Sequence, residues 1–264
     1  MHPTSARSYK TLVQLTDSHL FADLNGGMSG VNTQDSLKQV IDQVRVEQDT
    51  IDLLLCTGDI SQDGSPASYI RFAEMVSTLN APMRWLAGNH DEGVVLQQVC
   101  ADKDWLHSVY DLEYWRIVVL DSSIPEQVHG FLAEEQLKAL DQALATAGSR
   151  YVLIAVHHHP LPVGSAWMDK IGLHNAEQLL ERIALYDNVR AVLCGHVHQT
   201  FDQEANGVRW LGTPSTCIQF APGSAEFALD EQMPGYRWLH LYDEGQLDTG
   251  VSRVLDLNVN RSGD

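Results

Sequence analysis

Short runs of mainly apolar residues alternate along the chain with longer segments in which apolar residues recur every three or four positions. Runs of about four to ten residues predict buried β-strands, and the longer spacing predicts amphipathic helices. The predicted strands cover residues 11–15, 51–56, 83–87, 114–123, 151–156 and 190–194. The predicted helices cover residues 33–48, a segment that begins at Ser65 and Pro66, and residues 132–147 and 176–186. In the second helix, Ile70 and Val76 are expected to face the core.

The order of these elements predicts an α/β fold. Strands that alternate with helices form a mostly parallel sheet covered by helices on both faces. The final third differs, because residues 208–212 and 236–242 flank turns and predict antiparallel strands. No repeat, low-complexity segment or linker rich in Pro, Gly or Ser interrupts the chain, so we expect one domain over residues 1–264.

The chain carries a large excess of acidic residues, with a formal net charge of -18 and a pI near 4.9. A nucleic-acid-binding surface needs a basic stripe, so this charge argues against a nucleic-acid partner and against docking on anionic membranes. The negative charge is still compatible with a small phosphate ester as the substrate, because bound divalent cations can dominate the local electric field. The longest apolar runs are far shorter than a membrane span, and the N-terminus lacks a secretory signal pattern. The four cysteines form no CxxC pair, which predicts reduced thiols in a cytoplasmic protein.

Residues of the types that bind metals stand directly after five of the predicted strands. Five clusters lie there, TDSH, TGDI, GNHD, HHHP and GHVH, and their candidate ligands are Asp17, His19, Asp59, Asn89, His157, His196 and His198. Asp, Asn and His without Cys suit Mn, Fe, Mg or Zn rather than a thiolate site. Seven ligands are too many for one ion and suit two ions a few ångströms apart. Because open α/β sheets bind ligands at the carboxyl ends of their strands, we expect the five loops to converge.

Each cluster alone also has an ordinary structural explanation. Asp17 and His19 are two residues apart, which places both side chains on one side of an extended segment, but an aspartate that caps a turn looks the same. Gly-Asp at the second strand end is a common turn. In HHHP, His157 is the first residue after the strand and His158 is a competing ligand. Five such clusters at strand ends are hard to explain as turns, so the whole set predicts a metal centre.

The ordered set D-x-H, G-D, G-N-H-D, H and G-H-x-H resembles the calcineurin-like metallophosphoesterase superfamily, and the resemblance extends from Asp17 to His198. The stretches TDSHLF, GVNT, HHHPLP, LCGHVHQ and TPSTC further resemble the bacterial class III 3′,5′-cyclic AMP phosphodiesterases. The resemblance implies a four-layer α-β-β-α sandwich, with mixed sheets inside and helices on the outer faces. It implies hydrolysis of 3′,5′-cyclic AMP to 5′-AMP at two divalent metal ions, with a metal-bridging hydroxide as the nucleophile. Iron and manganese are the implied metals, with Mg, Zn or Co as alternatives.

The resemblance also implies a role for each site residue. One metal is held by Asp17, His19 and His198, the other is held by Asn89, His157 and His196, and Asp59 bridges the two. His90 is not a ligand but lies beside the phosphate, where it stabilises the transition state or protonates the leaving alkoxide. The implied substrate contacts are Asn89, His90 and His198.

Some alternatives stay open at this level. Many relatives have an Asp three residues after the bridging Asp to orient the catalytic histidine, whereas position 62 is Gln in this chain. Either Asp63 or Asp91 could therefore orient His90. The alternative functions are a broader phosphodiesterase, acting on glycerophosphodiesters or 2′,3′-cyclic nucleotides, and a non-catalytic nucleotide-sensing module. No heptad or apolar interface stripe is visible, so the sequence predicts no oligomeric state.

Overall fold

The computed structural model describes residues 9–257, which form two facing β-sheets with helices on the outer sides. The strands are β1 (Tyr9–Leu15), β2 (Gly27–Met28), β3 (Val31–Asn32), β4 (Leu53–Thr57), β5 (Met83–Leu86), β6 (Val109–Leu112), β7 (Trp115–Leu120), β8 (Tyr151–Val156), β9 (Val189–Cys194), β10 (Phe201–Ala205), β11 (Val208–Gly212), β12 (Gln219–Phe220), β13 (Leu229–Asp230), β14 (Gly235–Tyr242) and β15 (Leu247–Arg253). The helices are α1 (Thr33–Glu47), α2 (Pro66–Ser77), α3 (Gly93–Val99), α4 (Glu134–Ala145) and α5 (Ala176–Ile183), and Met168–Lys170 form a short 3₁₀ turn.

Both large sheets are mixed. The first has the strand order β15-β14-β1-β4-β5. In it β1, β4 and β5 are parallel to one another, whereas β14 is antiparallel to both of its neighbours, β1 and β15. The second has the order β10-β11-β9-β8-β7-β6, in which the four central strands are parallel and both edge strands are antiparallel. The expectation of a single mostly parallel sheet is therefore wrong, and the four-layer sandwich with mixed sheets is confirmed.

Three apolar clusters separate the four layers. On β4, Leu54 packs in the cluster beneath α1, α2 and α3, whereas Leu53 and Leu55 pack in the cluster between the two sheets. On β8, Leu153 packs between the sheets and Ile154 packs beneath α4 and α5. Because these central strands are buried on both faces, they carry continuous apolar runs, which is the pattern that the sequence shows.

The first two helices begin at residues whose side chains cap them. The side chain of Asn32 accepts a hydrogen bond from the backbone of α1, and Ser65 caps α2 ahead of Pro66. The expectation for Ile70 is wrong, because it is 49% exposed, while Tyr69 forms part of the buried face. Helix α3 was not predicted, because only seven residues are too few to show a period. Among the helices of residues 9–257, none combines the length and the apolar character that crossing a membrane requires.

Candidate metal centre and active site

The loops that follow β1, β4, β5, β8 and β9 meet at one end of the sandwich and carry the seven candidate ligands. The first three loops come from one sheet and the last two from the other, so the site spans the seam between the sheets. Parallel strands within each sheet bring their carboxyl ends to the same edge. The facing arrangement of the sheets then joins the two edges into one buried group of polar side chains.

The backbone at these strand ends is left-handed rather than extended. Five candidate ligands have φ angles between 46° and 65°, namely Asp17, His19, Asp59, His196 and His198. The expectation that Asp17 and His19 lie on an extended segment is therefore wrong. Their backbone N–H groups instead donate to the carbonyl oxygens of Gly58 and Asp59, which turns both side chains into the seam. Left-handed non-glycine residues cost about 1–2 kcal/mol each, and such strain concentrates at functional sites.

The first group of side chains is formed by Asp17, His19 and His198, whose potential ligand atoms lie within 4.8 Å of one another. The Nε2 atom of His198 is 3.3 Å from Asp17 Oδ1 and 3.1 Å from His19 Nε2. The other ring nitrogens are held by the protein, since His198 Nδ1 lies 2.8 Å from the Ile218 carbonyl and His19 Nδ1 lies 2.7 Å from Gln62 Oε1. Such bonds fix each ring with Nε2 facing the group.

The second group contains His157, Asn89 and His196. The Nε2 atom of His157 is 3.2 Å from Asn89 Oδ1, and its Nδ1 atom lies 2.8 Å from the Thr57 carbonyl. The Nε2 atom of His196 is buried and has no hydrogen-bond partner within residues 9–257. A buried imidazole nitrogen without a partner is costly unless something binds it, and a metal ion does so. The donor set and this orphaned nitrogen both fit a divalent cation.

Asp59 lies between the two groups. Its Oδ2 atom is 3.7 Å from His19 Nε2 and 3.4 Å from His157 Nε2, so one carboxylate oxygen faces a histidine of each group. Its Oδ1 atom accepts a hydrogen bond of 2.8 Å from the backbone N–H of His90. This bond fixes the carboxylate and ties the loop after β4 to the loop after β5.

His158 points away from this centre. Its Nδ1 atom lies 2.8 Å from Ser122 Oγ, and its Nε2 atom lies 3.2 Å from the Val128 carbonyl. Although a ring nitrogen of His158 comes within 4.8 Å of potential ligand atoms of His157 and His196, both ring nitrogens already have partners. The geometry therefore favours His157 over His158 as the side chain that faces the centre.

The charges of the buried side chains suit metal binding. Burial alone would raise the pKa of Asp59, but the charge and hydrogen bond of His157 together with the charges of His19 and His90 outweigh it and hold the pKa well below its ordinary value. Burial lowers the pKa of His19 to about 4, and it lowers the pKa of His196 well below the ordinary range. His157 differs, because burial, which lowers its pKa, is outweighed by the combined attraction of Asp59, Asp17 and the Thr57 carbonyl, which raises the pKa to about 9. Anionic carboxylates and neutral imidazoles are the forms that bind metal ions, so His157 must release its proton when a metal ion binds.

The two acidic residues that were expected as alternatives to orient His90 make other contacts. Asp91 accepts hydrogen bonds from the backbone of Gly88 and of the β4 loop, and Asp63 accepts from the backbone N–H groups of two surface residues. The Nδ1 atom of His90 instead lies 3.2 Å from Gln62 Nε2. Gln62 was not among the predicted site residues, although the unusual glutamine at this position was the signal that could have identified it.

The exposed ring of His90 borders a cavity of about 690 Å³. Asn89 and Gln62 line it on the side of the candidate metal centre, and Asp121 and Glu126 line it elsewhere. The volume lies in the range of about 300–1,000 Å³ that is typical of small-molecule sites. On the other side of the centre, the ring of Phe220 stacks on His198 with a centroid distance of 4.1 Å.

The sequence has close relatives among bacterial enzymes. Residues 10–200 match the family model described as Calcineurin-like phosphoesterase. The chain is 51% identical over 246 residues to the 3′,5′-cyclic adenosine monophosphate phosphodiesterase CpdA of Pseudomonas aeruginosa, a match that covers 93% of this chain and 90% of that protein. It is 41% identical over 256 residues to the Escherichia coli enzyme of the same name, covering 96% of this chain and 93% of that protein.

Solved structures share the fold at much lower identity. A dimetal phosphatase from Danio rerio superposes with a TM-score of 0.66 at 18% identity, covering 94% of this chain and all of that one (100%). The purple acid phosphatase of yellow lupin superposes with a TM-score of 0.69 at 16% identity, covering 95% of this chain and 52% of that one. At such identities these matches show that the fold is shared.

Proposed function

Because the chain belongs to the calcineurin-like phosphoesterase family, we propose that it hydrolyses 3′,5′-cyclic AMP to 5′-AMP at a dinuclear metal centre. The main observation in support of this reaction type is the position of the Asp59 carboxylate, which faces one histidine in each of the two side-chain groups. The choice of substrate is supported by relatives at 51% and 41% identity that are named as cyclic AMP phosphodiesterases.

The proposed ligands divide between two ions. Asp17, His19 and His198 hold one ion, Asn89, His157 and His196 hold the other, and Asp59 bridges them. The short distances within each group and the unpartnered Nε2 atom of His196 support this division. Iron and manganese are the proposed metals, because oxygen and imidazole donors without thiolate suit them.

The protein side chains have distinct tasks in this reaction. When bound, the two cations neutralise phosphoryl oxygens and lower the pKa of a water molecule, which supplies a hydroxide nucleophile. Asn89 and His198 contact the phosphate in this proposal, which is supported by the contacts that hold both side chains in the centre. His90 holds a proton beside the leaving 3′-oxygen and stabilises the transition state. Its exposure to the cavity supports this role, because the ribose that carries the leaving oxygen needs space on that side.

The cavity beside His90 supports a compact substrate with one phosphate. Its volume of about 690 Å³ is sufficient for a cyclic nucleotide. Asp121 and Glu126 add negative charge to its lining, which repels a second phosphate group. This charge and the net charge of -18 support a small-molecule substrate and oppose a polynucleotide.

Three further properties are part of the proposal. We propose that the chain forms one domain, which is supported by residues 201–253, because they add strands to both sheets. We propose a cytoplasmic location, because all four cysteines are buried free thiols, as in proteins of reducing compartments. The excess of acidic residues supports the absence of nucleic-acid and membrane partners.

A hydrolysis panel tests the proposed function. Protein stripped of metal and reloaded with Mn²⁺ or Fe²⁺ is assayed with cyclic AMP, cyclic GMP, 2′,3′-cyclic AMP and bis(p-nitrophenyl) phosphate. We expect the highest kcat/KM with cyclic AMP and no turnover by the stripped protein. Equal kcat/KM values for cyclic AMP and the chromogenic diester would favour the broader phosphodiesterase. Binding of cyclic AMP without turnover under any metal would favour a sensing module.

A further inference from the structure

The side-chain amide of Gln62 lies between two histidines of the site. Its Oε1 atom is 2.7 Å from His19 Nδ1, and its Nε2 atom is 3.2 Å from His90 Nδ1. The two imidazole rings are themselves in edge-to-face contact, with centroids 5.0 Å apart. One amide group therefore connects a proposed metal ligand to the proposed catalytic residue.

The orientation of this amide follows from the chemistry of His19. The Nε2 atom of His19 faces His198 and Asp59, so it is the nitrogen that would bind a metal ion. A neutral imidazole that binds through Nε2 carries its proton on Nδ1. That N–H group needs an acceptor, so the Oε1 oxygen of Gln62 faces His19. The NH₂ group of Gln62 then necessarily faces His90.

The amide orientation determines where the proton of His90 resides. Because Nδ1 of His90 receives a hydrogen bond from an N–H group, it must be the unprotonated nitrogen. The proton of the neutral ring is therefore on Nε2, where it can be donated to a substrate oxygen. A carboxylate at position 62 would do the reverse, because it accepts a hydrogen bond from Nδ1–H and leaves Nε2 of the neutral ring unprotonated.

We propose that Gln62 is a positioning residue that fixes the Nε2–H tautomer of His90 and links it to metal binding by His19, an inference that rests on the proposed function. The nearby acids cannot replace it. The carboxylate of Asp91 accepts hydrogen bonds from three backbone N–H groups, and that of Asp63 bonds to the backbone of Ala22 and Ser65. Gln62 makes His90 a hydrogen-bond donor in its neutral form, without the positive charge that an Asp-His pair would require.

The proposed role of Gln62 predicts that the effect of its replacement on kcat depends on the leaving group of the substrate. A ribose alkoxide is a poor leaving group and needs a donor, whereas p-nitrophenolate leaves without one. Losing a correctly placed proton donor lowers the rate by about 10²–10⁴-fold. We therefore expect Gln62→Ala to lower kcat for cyclic AMP by about 100-fold and to lower kcat for bis(p-nitrophenyl) phosphate by less than about 10-fold, with little change in KM.

Gln62→Glu is the sharper variant, because it keeps the shape and the acceptor but removes the donor. Its diagnostic effect is on the tautomer of His90 rather than on kcat, because a carboxylate also supports the charged ring, which keeps a proton on Nε2. Gln98→Glu, on the exposed face of α3, introduces the same charge outside the site and serves as the matched control with unchanged kinetics. Metal content per chain, measured for each variant, separates loss of the donor from loss of the ion at His19.

The tautomer itself is read by long-range ¹H–¹⁵N correlation NMR of the Zn²⁺-loaded protein, with the His90 signals assigned from their absence in His90→Ala. We expect Nε2–H and unprotonated Nδ1 in the wild type, and a protonated Nδ1 in Gln62→Glu. A wild-type His90 protonated on Nδ1, or the same tautomer in both proteins, would overturn the proposal. This readout uses no substrate, so it stands even if cyclic AMP proves not to be hydrolysed.

Discussion

Replacing His157 and His158 by alanine, one at a time, is expected to produce two different losses. Both rings are fully buried and adjacent in sequence, so the pair is closely matched. His157→Ala removes a side chain that faces Asp59 and Asn89, and we expect the loss of one metal ion and of activity. His158→Ala removes a side chain that faces the protein, and we expect lower stability with both metal ions retained.

The structure gives the size of each effect. In His158→Ala, the buried Ser122 Oγ loses its side-chain partner, which costs about 1–3 kcal/mol, whereas the carbonyl of Val128, a residue that is 52% exposed, can bond to water instead. The free energy of unfolding of the metal-free protein should therefore fall by about 1–3 kcal/mol. His157→Ala removes from the metal-free protein the bond to the Thr57 carbonyl and the contacts of Nε2 with Asn89 and Asp59, so its stability should also fall, by about 1–3 kcal/mol, and metal binding is what distinguishes the two variants. Its effect on metal affinity should be larger, on the order of 100-fold or more, since outer partners of ligands alone contribute about 10–100-fold.

Two measurements on the same preparations separate these outcomes. Urea unfolding of chelator-treated protein gives the free energy of unfolding, and elemental analysis after dialysis against a defined metal concentration gives the ions bound per chain. If His158→Ala loses an ion while His157→Ala keeps both, the assignment of His157 is refuted. If His158→Ala unfolds at the same urea concentration as the wild type, the hydrogen bonds of His158 do not have the role described.

Three other changes test the centre. Asn89→Ala should abolish turnover of all diesters while the far-ultraviolet circular dichroism stays unchanged, and normal activity would contradict the two-metal proposal. Gly88→Ala should lower metal content, because a Cβ atom at Gly88 would overlap Asp59 Oδ1 and displace the carboxylate. Unchanged metal content would show that the loop moves to accommodate the Cβ atom. Chelation should lower the free energy of unfolding by about 3 kcal/mol for each ion removed, relative to protein at 100 times the metal Kd, and identical urea midpoints would indicate no metal binding to the native state.

The fold was largely predictable because its signals are local. Continuous apolar runs mark strands that are buried on both faces, and the caps at Asn32 and Ser65 mark where α1 and α2 begin. The second sheet was not predictable from the same runs, because pairing between distant strands leaves no periodic signal in the sequence. Helix α3 and the two-residue strands are too short to show one.

The sequence by itself determined the chemistry of the site: which residue types are present, and their places after strands. Only the tertiary structure decided how they are used. It placed Asp59 between two groups, turned His158 towards Ser122, and put Gln62 rather than a carboxylate against His90. The physical reason is that a ring or an amide group has two ends, and the end that faces the site is set by partners far away in the sequence. Ser122 is 36 positions from His158, and His90 is 28 positions from Gln62.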